Sequence, residues 1–313
     1  MNNQKAGIFE FTYFKKLARD FLKNKVIYFM ALPVVLYFVV FKYLPMYGAV
    51  IAFKDFRGGL GIMGSPWAGL KHFQSFFSSI YCWRLIRNTL LINLYNLIWG
   101  FPAPIILALL LNELRSEKFK RLIQTISYMP HFISVVVISG LIVDFFSTQG
   151  LLSGVFRAFG ADAGNYLAMP QYFRSIYVGS NIWTGLGWGT IIYLAALSNI
   201  DQELYGAATI DGAGRWGRVI HVTIPGIFPT IVILLILNFG QMMNLGWEKI
   251  ILLYSPATYE TADVISSYTY RRGMLEADYS FGAAVGLFNS VVNFCLIILA
   301  NTISKKLNDT AIW

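Results

Sequence analysis

The sequence predicts an all-α integral membrane protein: six transmembrane helices with one elaborate loop on the cytoplasmic side. Three observations point there. The 313 residues are 56% hydrophobic and only 13% charged, roughly half the charged share of a soluble domain. The apolar residues gather into runs of about 20, the length a helix needs to cross a bilayer. Those runs are continuous rather than alternating, which speaks for helices and against barrel strands. A disordered chain, a collagen-like chain and an ordinary cytosolic enzyme are thereby excluded.

The spans fall at about Val26–Tyr47, Thr89–Leu111, Thr125–Ser147, Arg174–Leu197, Val219–Met243 and Phe281–Ile303. Lys and Arg in the loops set the orientation. Lys15, Lys16, Arg19, Lys23 and Lys25 flank the first span, and Arg115, Lys118, Lys120 and Arg121 fill the loop between the second and third. Both termini are therefore expected in the cytoplasm, with the chain in the inner membrane. This layout divides the chain into a cytoplasmic segment 1–25, a bundle 26–303 and a cytoplasmic tail 304–313. Phe14, Leu17, Ala18, Phe21 and Leu22 recur at helical spacing among basic residues. They predict an amphipathic helix, lying on anionic lipid or packed on another subunit. The first apolar run is too long for a signal-peptide core, and no cleavable leader is expected.

The net charge of +9 reflects basic loops, and nucleic acid is not an expected partner. Cys82 and Cys295 are too few for a disulfide framework and lack zinc spacing, so both are expected as buried small residues. His72, His131 and His221 are isolated and form no metal pair. There is no phosphate-binding GxxxxGK[ST] loop. The spans contain Lys42 and Asp144, both near span ends. A proton-driven carrier needs ionisable groups deeper than that.

The fourth and fifth spans are joined by the most informative segment. Asp201 is suited to cap a short helix. Leu204, Ala207 and Ala208 then share one face. Asp211-Gly212 breaks that helix, and a second one runs through Trp216 toward Pro225. Small residues on the first helix let another protein's backbone approach closely. Composition alone fits an amphipathic connector equally well.

This segment resembles the EAA loop (199–225) of binding-protein-dependent ABC importers, whose pattern is E-A-A-x-x-x-G-x(9)-I-x-L-P. The pattern falls on Gly206, Ala207, Ala208, Gly212, Val222, Ile224 and Pro225, with spacing kept throughout. The chain also resembles the LplB-like oligosaccharide and polysaccharide permease branch, related to the maltose permease. The residues that carry this are Tyr47 to Phe56, Gly64 to Phe73, Arg87-Asn88-Thr89 and the ending Ile312-Trp313. Some members of that branch serve importers of uronate oligosaccharides, such as alginate or aldouronate systems.

The resemblance implies a non-catalytic permease subunit. Its partners would be a second, different permease, a homodimer of ATPase subunits that hold the ATP and Mg, an extracytoplasmic solute-binding protein and membrane lipid. The cargo would be an oligosaccharide. The residues implied in ATPase coupling are Glu203, Leu204, Gly206, Ala207, Ala208, Asp211, Gly212, Arg215 and Pro225. Two departures stand out. Gly206 occupies the motif's glutamate position and Ile224 its leucine position. Glu203, one turn earlier on the same face, is the expected replacement for the missing charge.

A saccharide path needs hydrogen-bonding groups and stacking faces. Candidates are Asn93 and Asn96 on span two; Asn181, Trp183, Thr184 and Trp188 on span four; Asn238, Gln241 and Asn244 on span five; and Asn289 and Asn293 on span six. Helix-to-helix hydrogen bonding is the competing use for each. Gly185 and Gly189 form a GxxxG, expected as a close helix contact. The outer loops 48–88, 148–173 and 244–280 are long enough to dock a binding protein. A stand-alone secondary carrier and a membrane enzyme on lipid-linked sugar remain the alternatives. The first lacks buried carboxylates and the second a catalytic cluster.

Overall fold

The structure is a computed structural model that describes Asp20, residues 23–160 and residues 164–308. The residues proposed for an amphipathic helix (Phe14, Leu17, Ala18, Phe21 and Leu22) and the Ile312-Trp313 ending lie outside the described residues. Helices dominate, and among the described residues extended pairing is confined to one bridge, Lys54 with Trp67. Among the described residues, five helices are long and apolar enough to cross a membrane: Lys25–Phe53, Cys82–Asn112, Val135–Val155, Arg215–Phe239 and Tyr279–Lys306.

The remaining expected span, the fourth (Arg174–Leu197), lies inside the helix Pro170–Ser198. Its 29 residues extend about 44 Å, so length is sufficient. It is less apolar than the others because Ser180, Asn181, Thr184, Thr190 and four glycines interrupt the run. It is also the central helix, packed on the second and fifth spans and on the helix Glu117–Tyr128. Close packing explains the glycines. A Cβ on Gly187 would strike the backbone carbonyl of Ser127, and one on Gly189 would sit 3.0 Å from the Pro104 ring. Gly185 meets nothing within 4 Å, so half of the expected GxxxG contact is open space.

The expected third span, Thr125–Ser147, is two helices. Glu117–Tyr128 ends where Pro130 follows, and Val135–Phe146 restarts behind Ser134, whose Oγ accepts from the Val137 amide. Proline lacks the amide a continuous helix requires. Three other prolines leave a different mark. Wide π turns occupy Val39–Tyr43, Asn96–Gly100 and Val219–Thr223, and Pro45, Pro102 and Pro225 each follow two residues later. Each proline withholds a hydrogen bond from the carbonyl four residues back, and the helix relaxes into an i to i+5 turn instead of breaking.

The core has three parts. Ile92, Ile138, Phe173, Tyr177 and Ile250 form one, Phe76, Leu85, Ile265 and Phe281 a second, and Ala108, Tyr193, Leu197 and Ile227 a third. Fully burying a side chain such as Phe173 or Phe281 contributes about 2–3 kcal/mol. The helix Lys25–Phe38 contrasts with all of this, because it buries none of its residues against the chain. Cys82 is buried as expected, whereas Cys295 is exposed on the last helix.

Candidate functional site

Two cavities run along the central helix. The first, about 440 Å³, is lined by Asn93, Asn96, Tyr177, Asn181, Asn238, Gln241, Asn244 and Lys249 among others. The second, about 320 Å³, is lined by Asn96, Gly100, Phe101, Pro104, Asn181, Gly185, Gly189 and Asn238, with aliphatic neighbours. Asn96, Asn181 and Asn238 belong to both, so the two spaces adjoin. One is amide-rich, and the other is smooth, built from glycine, proline and aliphatic groups. Each primary amide offers two donors and an acceptor, a set that matches sugar hydroxyls of any orientation.

Local sequence explains the placement. The π turn at Asn96–Gly100 offsets Asn96 from an ordinary helical register, and its Oδ1 accepts from Asn181 Nδ2 at 3.4 Å. The fifth span ends at Phe239, so Gln241 and Asn244 lie in a turn, joined by an Asn244 Nδ2 to Gln241 Oε1 bond of 2.9 Å. Asn93 donates to the Thr89 carbonyl at 3.0 Å and Asn238 to the Leu234 carbonyl at 3.3 Å.

Six of the eleven sequence candidates therefore line one cavity system: Asn93, Asn96, Asn181, Asn238, Gln241 and Asn244. The other five lie elsewhere. Trp188 is exposed and stacks on His131 at 4.5 Å, and Trp183 is exposed as well. Asn293 is buried, and its Oδ1 accepts from the Met243 amide at 2.9 Å. Asn289 donates to the Met243 carbonyl at 3.1 Å and lines a separate cavity beside Trp247 and Tyr270. Those two amides satisfy the turn after the fifth span. Thr184 spends its hydroxyl on the Ser180 carbonyl.

One lining residue escaped sequence reasoning. Lys249 lies in the expected outer loop 244–280, in the helix Trp247–Leu253, yet it is only 8% exposed. Its Nζ donates to Asn181 Oδ1 at 2.7 Å and lies 5.4 Å from the centre of the Tyr177 ring. The signal available was a lone lysine before Ile250-Ile251-Leu252-Leu253, a run too apolar for an exposed loop.

At one end of the bundle the helix Gln202–Ile210 stands apart. Asp201 Oδ1 accepts from the Glu203 amide at 2.9 Å and caps it. Gly212, with φ of 81°, turns the chain, and the Ala213 amide closes on the Ala208 carbonyl at 2.8 Å. A left-handed residue ending a helix is favoured as glycine because no Cβ is present to clash. Glu203, Leu204, Gly206, Ala207, Asp211, Arg215 and Trp216 are exposed and Ala208 half-buried. Two hydroxyls tie the helix to the base of the fifth span: Tyr205 Oη lies 3.1 Å from Thr223 Oγ1, and an Arg218 nitrogen 3.5 Å from Thr209 Oγ1. Pro225 stands in the first turn of the helix that follows.

At the opposite end, residues 256–270 are stapled to the second span. Buried Asn88 donates from Nδ2 to the Glu260 and Asp263 carbonyls, both at 2.9 Å, and accepts from Arg174 at 2.8 Å. Thr89 Oγ1 accepts from the Ile265 amide at 3.1 Å. Asp263 is fully buried and pairs with Arg271 at 2.9 Å and Arg84 at 3.4 Å. Burial pulls the Arg271 guanidinium down, but the Asp263 hydrogen bond and charge outweigh it and leave Arg271 above its ordinary value. Asp55 is half-buried, and its carboxyl is held below the usual range by the Lys71 ammonium at 2.9 Å. The Lys71 charge in loop 48–88 is therefore engaged within the chain.

Comparisons with known proteins agree with this architecture. Residues 100–309 match the model of the binding-protein-dependent transport system inner membrane component. Protein LplB of Bacillus subtilis is 42% identical over 292 residues, 93% of this chain and 92% of the relative. The polygalacturonan/rhamnogalacturonan transport system permease protein YteP of the same organism is 42% identical over 309 residues, 98% and 96% of the two chains. A solved bacterial ABC transporter involved in the import of the acidic polysaccharide alginate contains a chain that superposes with a TM-score of 0.86. That chain is 42% identical and covers 94% of this chain and 99% of its own length. The chain thus belongs to the binding-protein-dependent transport system inner membrane component family, as a non-catalytic permease subunit of a sugar ABC importer.

Proposed function

We propose that this chain and a second, different permease form the membrane passage of an ATP-driven importer for oligosaccharides, with uronate-type chains as the cargo class. The observation that carries the reading is the cavity pair: six amides gathered on the central helix and its neighbours, continuing into a glycine-lined stretch. Acidic cargo is supported by the relatives, one described by polygalacturonan and one by alginate. A solved complex of that alginate transporter with a saccharide-bound periplasmic protein supports a binding protein as donor.

Work enters at the helix Gln202–Ile210 on the cytoplasmic side, with both termini there and the helix Pro170–Ser198 as the fourth of six spans. Leu204, Ala207 and Ala208 seat in a groove of an ATPase subunit, one of an identical pair that binds ATP and Mg. Glu203 provides the charge absent at Gly206, and Asp211, Gly212 and Arg215 hold the turn. A rigid connection is the physical requirement, because a soft one dissipates the stroke. The outer loops receive the binding protein.

The test is reconstitution of the complete importer in liposomes. Ala207→Asp places an unpaired charge in the groove, at a cost of about 3–5 kcal/mol. Saccharide-stimulated ATP hydrolysis is expected to be lost while the permease pair still assembles. Normal stimulation in that variant refutes the docking role, and uptake by the chain alone refutes the importer.

A further inference from the structure

We propose that Lys249 selects for a carboxylate on the passing saccharide, forming an ion pair with a uronate unit inside the amide-lined cavity. The inference rests on the importer reading above and adds a specificity-determining residue to it.

Lysine is almost never buried unless it is paired. Lys249 is 8% exposed, yet the ion pairs among the described residues join Lys71 and His72 to Asp55, Arg84 and Arg271 to Asp263, and Arg272 to Asp278. None reaches Lys249. Its ammonium has three donors. One is used on Asn181 Oδ1, and the face of Tyr177 lies at 5.4 Å. Both contacts position a cation without neutralising it. A buried charge lacking a counter-charge is costly and marks a site that gains its partner in function.

The surroundings specify that partner. Among the described residues no aspartate or glutamate lines either cavity, and Lys249 is the one charged residue in the lining. The remaining polar groups are neutral amides such as Asn93 and Gln241, suited to hydroxyls. An anionic group on a sugar finds a single ammonium at that level, while its hydroxyls find amides. Ionic hydrogen bonds are stronger than neutral ones, so the passage favours the anionic saccharide over its neutral counterpart. Selection occurs after any made by a binding protein.

The test measures direct binding to the detergent-solubilised permease–ATPase complex without binding protein, then uptake with it. The probes are an oligogalacturonate and the same oligosaccharide with its carboxyls reduced to alcohols. The wild type is expected to prefer the oligogalacturonate. Lys249→Met is expected to lower that preference about ten-fold, the loss of one charge-assisted hydrogen bond. Lys249→Arg retains it. Asn181→Asp keeps the lysine but supplies an internal counter-ion, and is expected to lower the preference as Lys249→Met does. Equal binding of both probes by the wild type overturns the proposal. So does a Lys249→Met variant that weakens both alike, the mark of a purely structural lysine. A wild-type complex that binds and imports neither probe sinks the importer reading instead.

Discussion

The Tyr205 hydroxyl lies 3.1 Å from Thr223 Oγ1, across the bend that separates the helix Gln202–Ile210 from the fifth span. Thr223 is buried, and its hydroxyl also donates to the Arg218 carbonyl at 3.3 Å. The pair fixes the angle between an exposed helix and a membrane-crossing one. Tyr205→Phe removes one hydrogen bond, worth about 1 kcal/mol, and leaves the ring in place. The expected result is a complex of normal stability in which more ATP is hydrolysed per saccharide imported. Measuring uptake and hydrolysis on the same vesicles checks this; an unchanged ratio assigns the contact to local packing.

A second prediction concerns the charge missing at Gly206. A Cβ there meets nothing within 4 Å, so a glutamate side chain fits. Glu203 is exposed one turn earlier. If Glu203 supplies the contact, Glu203→Ala lowers saccharide-stimulated ATPase activity and Gly206→Glu restores it in the double variant. A sharp gain from Gly206→Glu in the wild-type background, with no effect of Glu203→Ala, points to a different contact.

A third concerns Asp263, fully buried between Arg271 and Arg84. Asp263→Asn keeps the shape and removes the charge, leaving Arg271 among Tyr254, Tyr259 and Tyr268 without its counter-ion. Breaking a buried pair from one side costs about 3–5 kcal/mol. The two guanidiniums are about a quarter exposed, which places the expected loss toward the lower figure. Thermal unfolding of the purified permease pair reads it, and Arg271→Met in the same chain is expected to recover part of the loss.

The spans were legible because a bilayer imposes a length on apolar runs, and the helix at Gln202–Ile210 because Asp201 and Gly212 mark its ends chemically. The same reading divided the path candidates imperfectly. A helix face is legible from spacing, but what it faces is tertiary. Trp183 and Trp188 sit on the central helix with Asn181 and still point elsewhere, while Asn289 and Asn293 serve the backbone of Met243. The burial of Lys249 escapes because counting charges per loop treats every lysine as wet. The break at Pro130 was written in the sequence but was overridden by the apolar run around it.

The fourth prediction separates two glycines that look alike in sequence. Gly185 and Gly187 are two residues apart on the central helix. A methyl on Gly187 collides with the Ser127 carbonyl, whereas one on Gly185 enters the cavity unopposed. Gly187→Ala therefore pushes the central helix off the helix Glu117–Tyr128, an overpacking cost of about 1–3 kcal/mol. Its thermal midpoint is expected to fall. Gly185→Ala is expected to keep or raise the midpoint, since alanine is the better helix former by up to about 1 kcal/mol, and to slow uptake by narrowing the passage. Equal midpoints for the two variants contradict the packing described here, and a slowed uptake confined to Gly187→Ala places the passage on another face of the helix.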